Sequence, residues 1–310
     1  ECMNLNNENV NKFLSRYIYY VNDISSEYSY PLNIRHLLYL IVPAFIIKYG
    51  ISYEALILKC FKEVKIYISN SEDKRITASF NRNLVKYGDS YFTEKFIVLN
   101  QYKNASLPNL IDNIVHEFNH AINSINNEIL CDDKYIKVRC GISFLVYDRK
   151  SMQFLFKSKD SYLEEVINTL QTEEVVNIIN SFNNYKIENV EFNNMLYALK
   201  HEIGKEYKSD AYYFQSYICS VLMKNKTFTP TISNLRLKGL VSDVPNLFDD
   251  VICKNGSFNK LCSLLEDVYN LEVKYDKTTF FKKLTISKLR SKAREVVDII
   301  NEYDNKCIYK

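Results

Sequence analysis

The chain has 310 residues, 47% hydrophobic and 25% charged, enough for one large domain or two smaller ones with their own cores. A net charge of +3 is too close to balance to point to nucleic acid or an acidic membrane as partner. Only 6 Gly and 5 Pro argue against a turn-rich β fold and favour long helices.

The segment "ECMNLNNENVNKFL" has no basic stretch followed by an apolar one, so no signal peptide is visible and a cytoplasmic location is expected unless a leader precedes Glu1. The 8 Cys form no C-x-x-C pair, which suggests reduced, mostly buried thiols in a reducing compartment. From about Val10 to Ile68 the pattern is helical. "NVNKFLSRYIYYVNDI" and "ISYEALILKCFKEVKIYI" repeat apolar residues every three or four positions. The most apolar run, Leu37 to Ile47, is too short to span a bilayer and holds Pro43, so it reads as a buried helix bent at the proline.

"ITASF" and "KFIVLN" are short β-type runs and predict a small sheet. A helix follows in "SLPNLIDNIVHEFNHAINSINN", with Ser106 as N-cap and Pro108 in the first turn. "YIKVRCGISFLVYDRKSMQFLFKS" reads as a hairpin turning near "YDRKS". Ser161 opens the helix "SYLEEVINTLQTEEVVNIINSF". Further helices are expected in "FNNMLYALKHEIG", "SDAYYFQSYICSVLMKN" and "KLRSKAREVVDIINEY". The expected class is therefore α+β, mostly helical, with a small sheet ahead of the motif helix. The organisation expected is a helical N-terminal region, 1–70, and a second region, 71–310.

The chemistry concentrates in "HEFNH", His116 to His120. Helix residues i and i+4 lie on one face, so both imidazoles can reach one metal ion. Glu117 is rotated toward the side where an activated water would sit and can take its proton. The chain holds 4 His, and two of them fall in this box. Ile114, Val115, Phe118, Ala121 and Ile122 are apolar and Asn119 is uncharged, as a helix buried on most sides requires.

The motif and its setting, a sheet, then the H-E-x-x-H helix, then an acidic helix, resemble the zincin metallopeptidases. Asn123 and Asn126 stand where the metzincin subgroup has Gly and His, which leaves the gluzincin type, whose third ligand is a downstream Glu. The resemblance covers roughly residues 95–175. It implies one zinc ion per chain, held by His116, His120 and Glu165, with Glu164 as the alternative third ligand. The familiar N-E-x-x-S-D form is missing. Thr169 stands one turn after Glu165, where many gluzincins carry a carboxylate that supports the first His. Glu173 and Glu174 read as solvated helix surface.

By the same resemblance, a downstream His or Tyr stabilises the oxyanion. His201 and Tyr213 are the candidates, and Tyr217 shares a helical face with Tyr213. His201 reads equally as a surface helix residue, the tyrosines as core, and His36 as structural. The implied activity is zinc-dependent hydrolysis of a peptide or protein substrate, by an endopeptidase rather than an exopeptidase. The alternative is an inactive zincin-scaffold binding protein. An edge strand at Phe96 to Asn100 would pair with an extended substrate. The basic stretch from Lys274 to Arg294 reads as a solvated helix face, with no nucleic-acid role. No membrane span is expected, and the pattern leaves the oligomeric state open.

Overall fold

A computed structural model describes residues 7–69, 77–100, 102–103, 105–203, 207, 228–252, 256–277 and 282–307. Helices dominate, with two small sheets, so the broad α+β, mostly helical expectation is met. The chain forms two compact units, residues 1–122 with 171–209 and residues 123–170 with 210–310. The division expected near residue 70 thus falls inside the first unit.

In the first unit, α1 (Asn7–Glu27) buries Val10, Leu14, Tyr17, Val21 and Ile24, a stripe at alternating four- and three-residue spacing. α2 (Leu32–Tyr49) packs on it and is apolar nearly all round. This is the described helix long and apolar enough to cross a membrane, yet 67% of it is buried inside the protein. Its apolar residues are used as core. The helix runs through Pro43 without breaking. α3 (Glu54–Glu63) follows and buries Ile57, Cys60 and Phe61.

The helical reading to Ile68 runs too far, because Lys65–Ile68 form a strand, β1. Ile66 and Ile68 alternate with Lys65 and Tyr67, a period-two pattern that overrides the helical signal before it. β2 (Ala78–Tyr87) and β3 (Ser90–Leu99) are longer than the two apolar runs that betray them. They form one antiparallel hairpin in which Tyr87 pairs with Ser90 around Gly88 (φ 59°) and Asp89. The outer half of this hairpin is largely exposed, so it leaves little apolar signature. β1 runs parallel to β3, and the sheet order is β1-β3-β2. The edge-strand expectation for Phe96 to Asn100 is therefore overturned. Phe96 to Leu99 pair with β1 on one side and β2 on the other, so their backbone groups have no side left for a substrate.

α4 (Leu107–Ile122) packs on β2 and β3 and against α3. Ser106 caps it: its Oγ accepts from the Asn109 N–H at 3.4 Å and its carbonyl from Leu110 at 2.9 Å. α5 (Ser161–Ser181) is one continuous helix, and the division into units falls between its Leu170 and Gln171. α6 (Val190–Ile203) completes the first unit's described helices and packs on α2 and α4.

The second unit carries an antiparallel sheet, β4 (Ile129–Cys131), β5 (Tyr135–Cys140), β6 (Ser143–Asp148) and β7 (Phe154–Lys157), in sequential order. The single hairpin expected here is a four-stranded meander. The turn near "YDRKS" joins β6 to β7, and a tighter one at Gly141 joins β5 to β6. Its helices among the described residues are α7 (Phe228–Lys238), α8 (Val244–Ile252), α9 (Ser257–Lys277) and α10 (Lys282–Cys307). They bury a core with the first half of α5, in which Leu163, Val166, Ile167 and Leu170 meet Phe228 and Phe248.

Candidate metal centre

The box HEFNH lies in the last two turns of α4, and the helix there is buried as its flanks require. Ile114, Val115, Ala121 and Ile122 are 0% exposed and Phe118 is 1% exposed. Phe118 stacks on Phe61 with ring centroids 4.0 Å apart, and Phe61 meets Phe45 edge-on at 5.8 Å. Three helices are thereby keyed together through one aromatic column, which fixes which side of α4 remains for chemistry. On that side the rings of His116 and His120 sit edge to face, with centroids 4.9 Å apart and planes at 79°. His120 is buried, His116 half-buried, and Glu117 is 8% exposed.

α5 is set against α4 by polar contacts that the sequence does not announce. The hydroxyl of Tyr49 donates to Asn119 Oδ1 at 2.5 Å, and Asn119 Nδ2 donates to Gln171 Oε1 at 3.3 Å. Lys48 pairs with Glu174. Glu173 is also buried, at 7% exposure, so neither residue is the freely solvated surface expected of the pair. The reason is that α5 is enclosed on nearly every side, so its carboxylates must find partners.

Six residues before Gln171, about 9 Å along the same helix, stands Glu165. Its carboxylate and the ring nitrogens of His116 and His120 all lie within 4.8 Å of one another. Ligands of one tetrahedral ion with bonds of about 2.1 Å lie about 3.4 Å apart, so this grouping is near that size. Two imidazoles and one carboxylate are a donor set that suits zinc and related transition metals. The cluster can hold a metal ion.

Glu164, the alternative ligand, is committed elsewhere. Adjacent helix positions diverge by about 100°, and Glu164 turns into the second unit at 1% exposure. There it pairs with Arg236 and accepts the Ile142 N–H at 2.8 Å. Thr169 donates its hydroxyl to the Glu165 carbonyl at 2.9 Å, so its donor is used on the helix itself. At the start of α5, burial raises the Asp160 carboxyl above the usual carboxylate range, against the lowering effect of a hydrogen bond from Ser158.

Of the remaining candidates, His201 and His36 are not part of the cluster. His201 is exposed on the last turn of α6, its ring 4.3 Å from that of Tyr197. Tyr213 and Tyr217 lie outside the described residues. His36 is structural in its surroundings, 5.8 Å from the Tyr39 ring and 3.3 Å from a Glu191 carboxylate oxygen. In the basic stretch, Lys292 is paired with Asp267 at 3.3 Å and Glu295 at 3.6 Å. Among the described residues, Cys60, Cys131, Cys140 and Cys262 form no disulfide.

Sequence reasoning missed Tyr49, Gln171, Arg139 and Arg236. Arg236 carried a faint signal, a lone charge between Leu235 and Leu237. Comparison of the chain with protein-family models, curated proteins and solved structures gives no match.

Proposed function

We propose that the chain is a zinc-dependent metallopeptidase. One observation carries this reading: a carboxylate from a second helix, Glu165, meets the two histidines of an H-E-x-x-H box whose glutamate is itself nearly buried. Chance would supply the five letters, but it gives no reason for an acidic side chain 45 residues further along the chain to close on them. His116, His120 and Glu165 would hold the ion. A bound zinc ion would supply a Lewis acid that polarises a peptide carbonyl and lowers the pKa of water toward 7.

Glu117 directly follows His116 on α4, in a low-exposure position. Glu117 takes a proton from the attacking water as its oxygen bonds to the peptide carbonyl carbon. It then passes that proton to the amine nitrogen as the C–N bond breaks, so the products are a carboxylic acid and an amine. Helix α4 holds Glu117 and the histidines on one rigid support, which keeps base and donors in register.

The test is metal content by mass spectrometry, together with hydrolysis of a mixed peptide library. The wild-type chain should carry one zinc, lost in His120→Ala. Glu117→Gln should keep the zinc and lose turnover by at least about 100-fold. A chain that takes up no zinc, or a Glu117→Gln variant that cleaves as fast as wild type, would overturn the proposal. Zinc without turnover in wild type would point instead to a binding protein on this scaffold.

A further inference from the structure

Two fully buried arginines in the second unit have no part in that chemistry. Arg139 on β5 and Arg236 on α7 are both 0% exposed. Burying a guanidinium is costly, and an apolar pair of similar volume serves stability as well or better. Their contacts suggest another role.

Arg139 grips the exit of the motif helix. Asn123 directly follows Ile122, the last residue of α4. Arg139 Nη1 donates to the Asn123 carbonyl at 2.6 Å, and Nε donates to the Asn126 carbonyl at 2.9 Å. A cation on the carbonyls at a helix C-terminus suits both their unmet hydrogen bonds and the helix dipole. The same Nη1 donates to the Gly141 carbonyl at 2.7 Å and to the Arg236 carbonyl at 3.1 Å. Asn126 Nδ2 donates to the Leu237 carbonyl at 2.6 Å. The exit of α4 is thus tied to α7.

Arg236 carries the tie on to α5. Its guanidinium pairs with Glu164 and donates to Asn168 Oδ1 at 3.1 Å. Glu164 and Asn168 lie one turn apart on one face, so two points fix both the rotation and the axial position of this helix. Gly141 adds a third constraint. Its φ is +57°, and a Cβ there would sit 2.0 Å from the Glu164 carboxylate. Glu165 is the next residue, and a rotation of one position would carry it about 100° away from its place.

We infer that Arg139 and Arg236 form a positioning brace that runs from the exit of α4 to the first turns of α5 and presents Glu165 to the two histidines. The inference rests on the metal-centre reading above. It differs from a purely structural role in one respect: stability and metal affinity separate. The test is the double variant Arg236→Met with Glu164→Gln, which removes both partners of the buried ion pair together and keeps an acceptor for Ile142. Its thermal unfolding, its zinc affinity by chelator competition and its visible absorption with Co²⁺ are compared with wild type, Glu165→Ala and His120→Ala.

The double variant should unfold within a few degrees of wild type but bind zinc about 10- to 100-fold more weakly. Its Co²⁺ spectrum should shift toward that of Glu165→Ala. Wild-type affinity and spectrum in the double variant would overturn the brace while leaving the metalloprotein reading intact. Absence of metal binding in wild type itself would overturn both. If the double variant fails to fold, Arg236→Lys, which retains the charge and loses the fork, decides. Weakened zinc binding at near wild-type stability supports the brace, and unchanged binding refutes it.

Discussion

Glu164 and Glu165 are neighbours of identical chemistry with different surroundings. One closes on two imidazoles and the other on a guanidinium. Their substitution should therefore fail in opposite ways. Glu164→Ala leaves Arg236 buried without its carboxylate and should cost about 3–5 kcal/mol in urea unfolding. Glu165→Ala should cost less stability but weaken zinc binding more than the ~10- to 100-fold typical of an outer partner. Equal losses of stability, or stronger metal loss in Glu164→Ala, would reverse the assignment. The preference for Glu165 was legible from its position before Val166 in a resemblance-based pattern. The engagement of Glu164 by Arg236 was not, because Arg236 lies 72 residues away along the chain.

α4 was readable as an element because its apolar spacing, its cap at Ser106 and its histidine spacing all speak with one period. α5 was harder. It is enclosed nearly all round, so its hydrophobic residues give no single face. What it does carry is a buried polar stripe, Glu164, Asn168 and Gln171, at helical spacing. That stripe is visible in the sequence but has no meaning until Arg236 and Asn119 are known to face it. The β5–β6 turn serves the same purpose from the other side. Gly141→Ala should destabilise the chain by at least about 2 kcal/mol in thermal unfolding, since a left-handed backbone alone costs ~1–2 kcal/mol for other residues and the added carbon meets the Glu164 carboxylate. An unchanged melting temperature would show that the turn relaxes away from α5. The sheet also shows a limit of local patterns. "KFIVLN" marked a strand correctly, but whether it lay at the edge depended on β1, a four-residue strand read as helix.

Each of the two units has its own core, and both are built largely from apolar residues the composition already implied. Cysteine placement follows those cores and gives an independent check on them. Cys60 is 0% exposed and Cys262 3% exposed, whereas Cys131 is exposed on the edge strand β4. Burial also pushes the Cys262 thiol up to about 12. Brief alkylation of the native chain at pH 8, read by peptide mass spectrometry, should label Cys131 at least about tenfold faster than Cys60 or Cys262. Comparable rates would mean that the described cores open on the timescale of labelling. The expected division at residue 70 did not anticipate this organisation, because the second half of α5 and α6 return to the first unit after a long excursion through the meander.

By itself the sequence determined the helical character, the motif helix and the two histidines with their glutamate, since each depends on residues within a turn or two of one another. Only the tertiary structure decided which glutamate joins them, which strand is covered on both sides and which charges are buried in pairs. Those outcomes depend on contacts between residues far apart in the chain, and no local periodicity encodes a partner that arrives from another element.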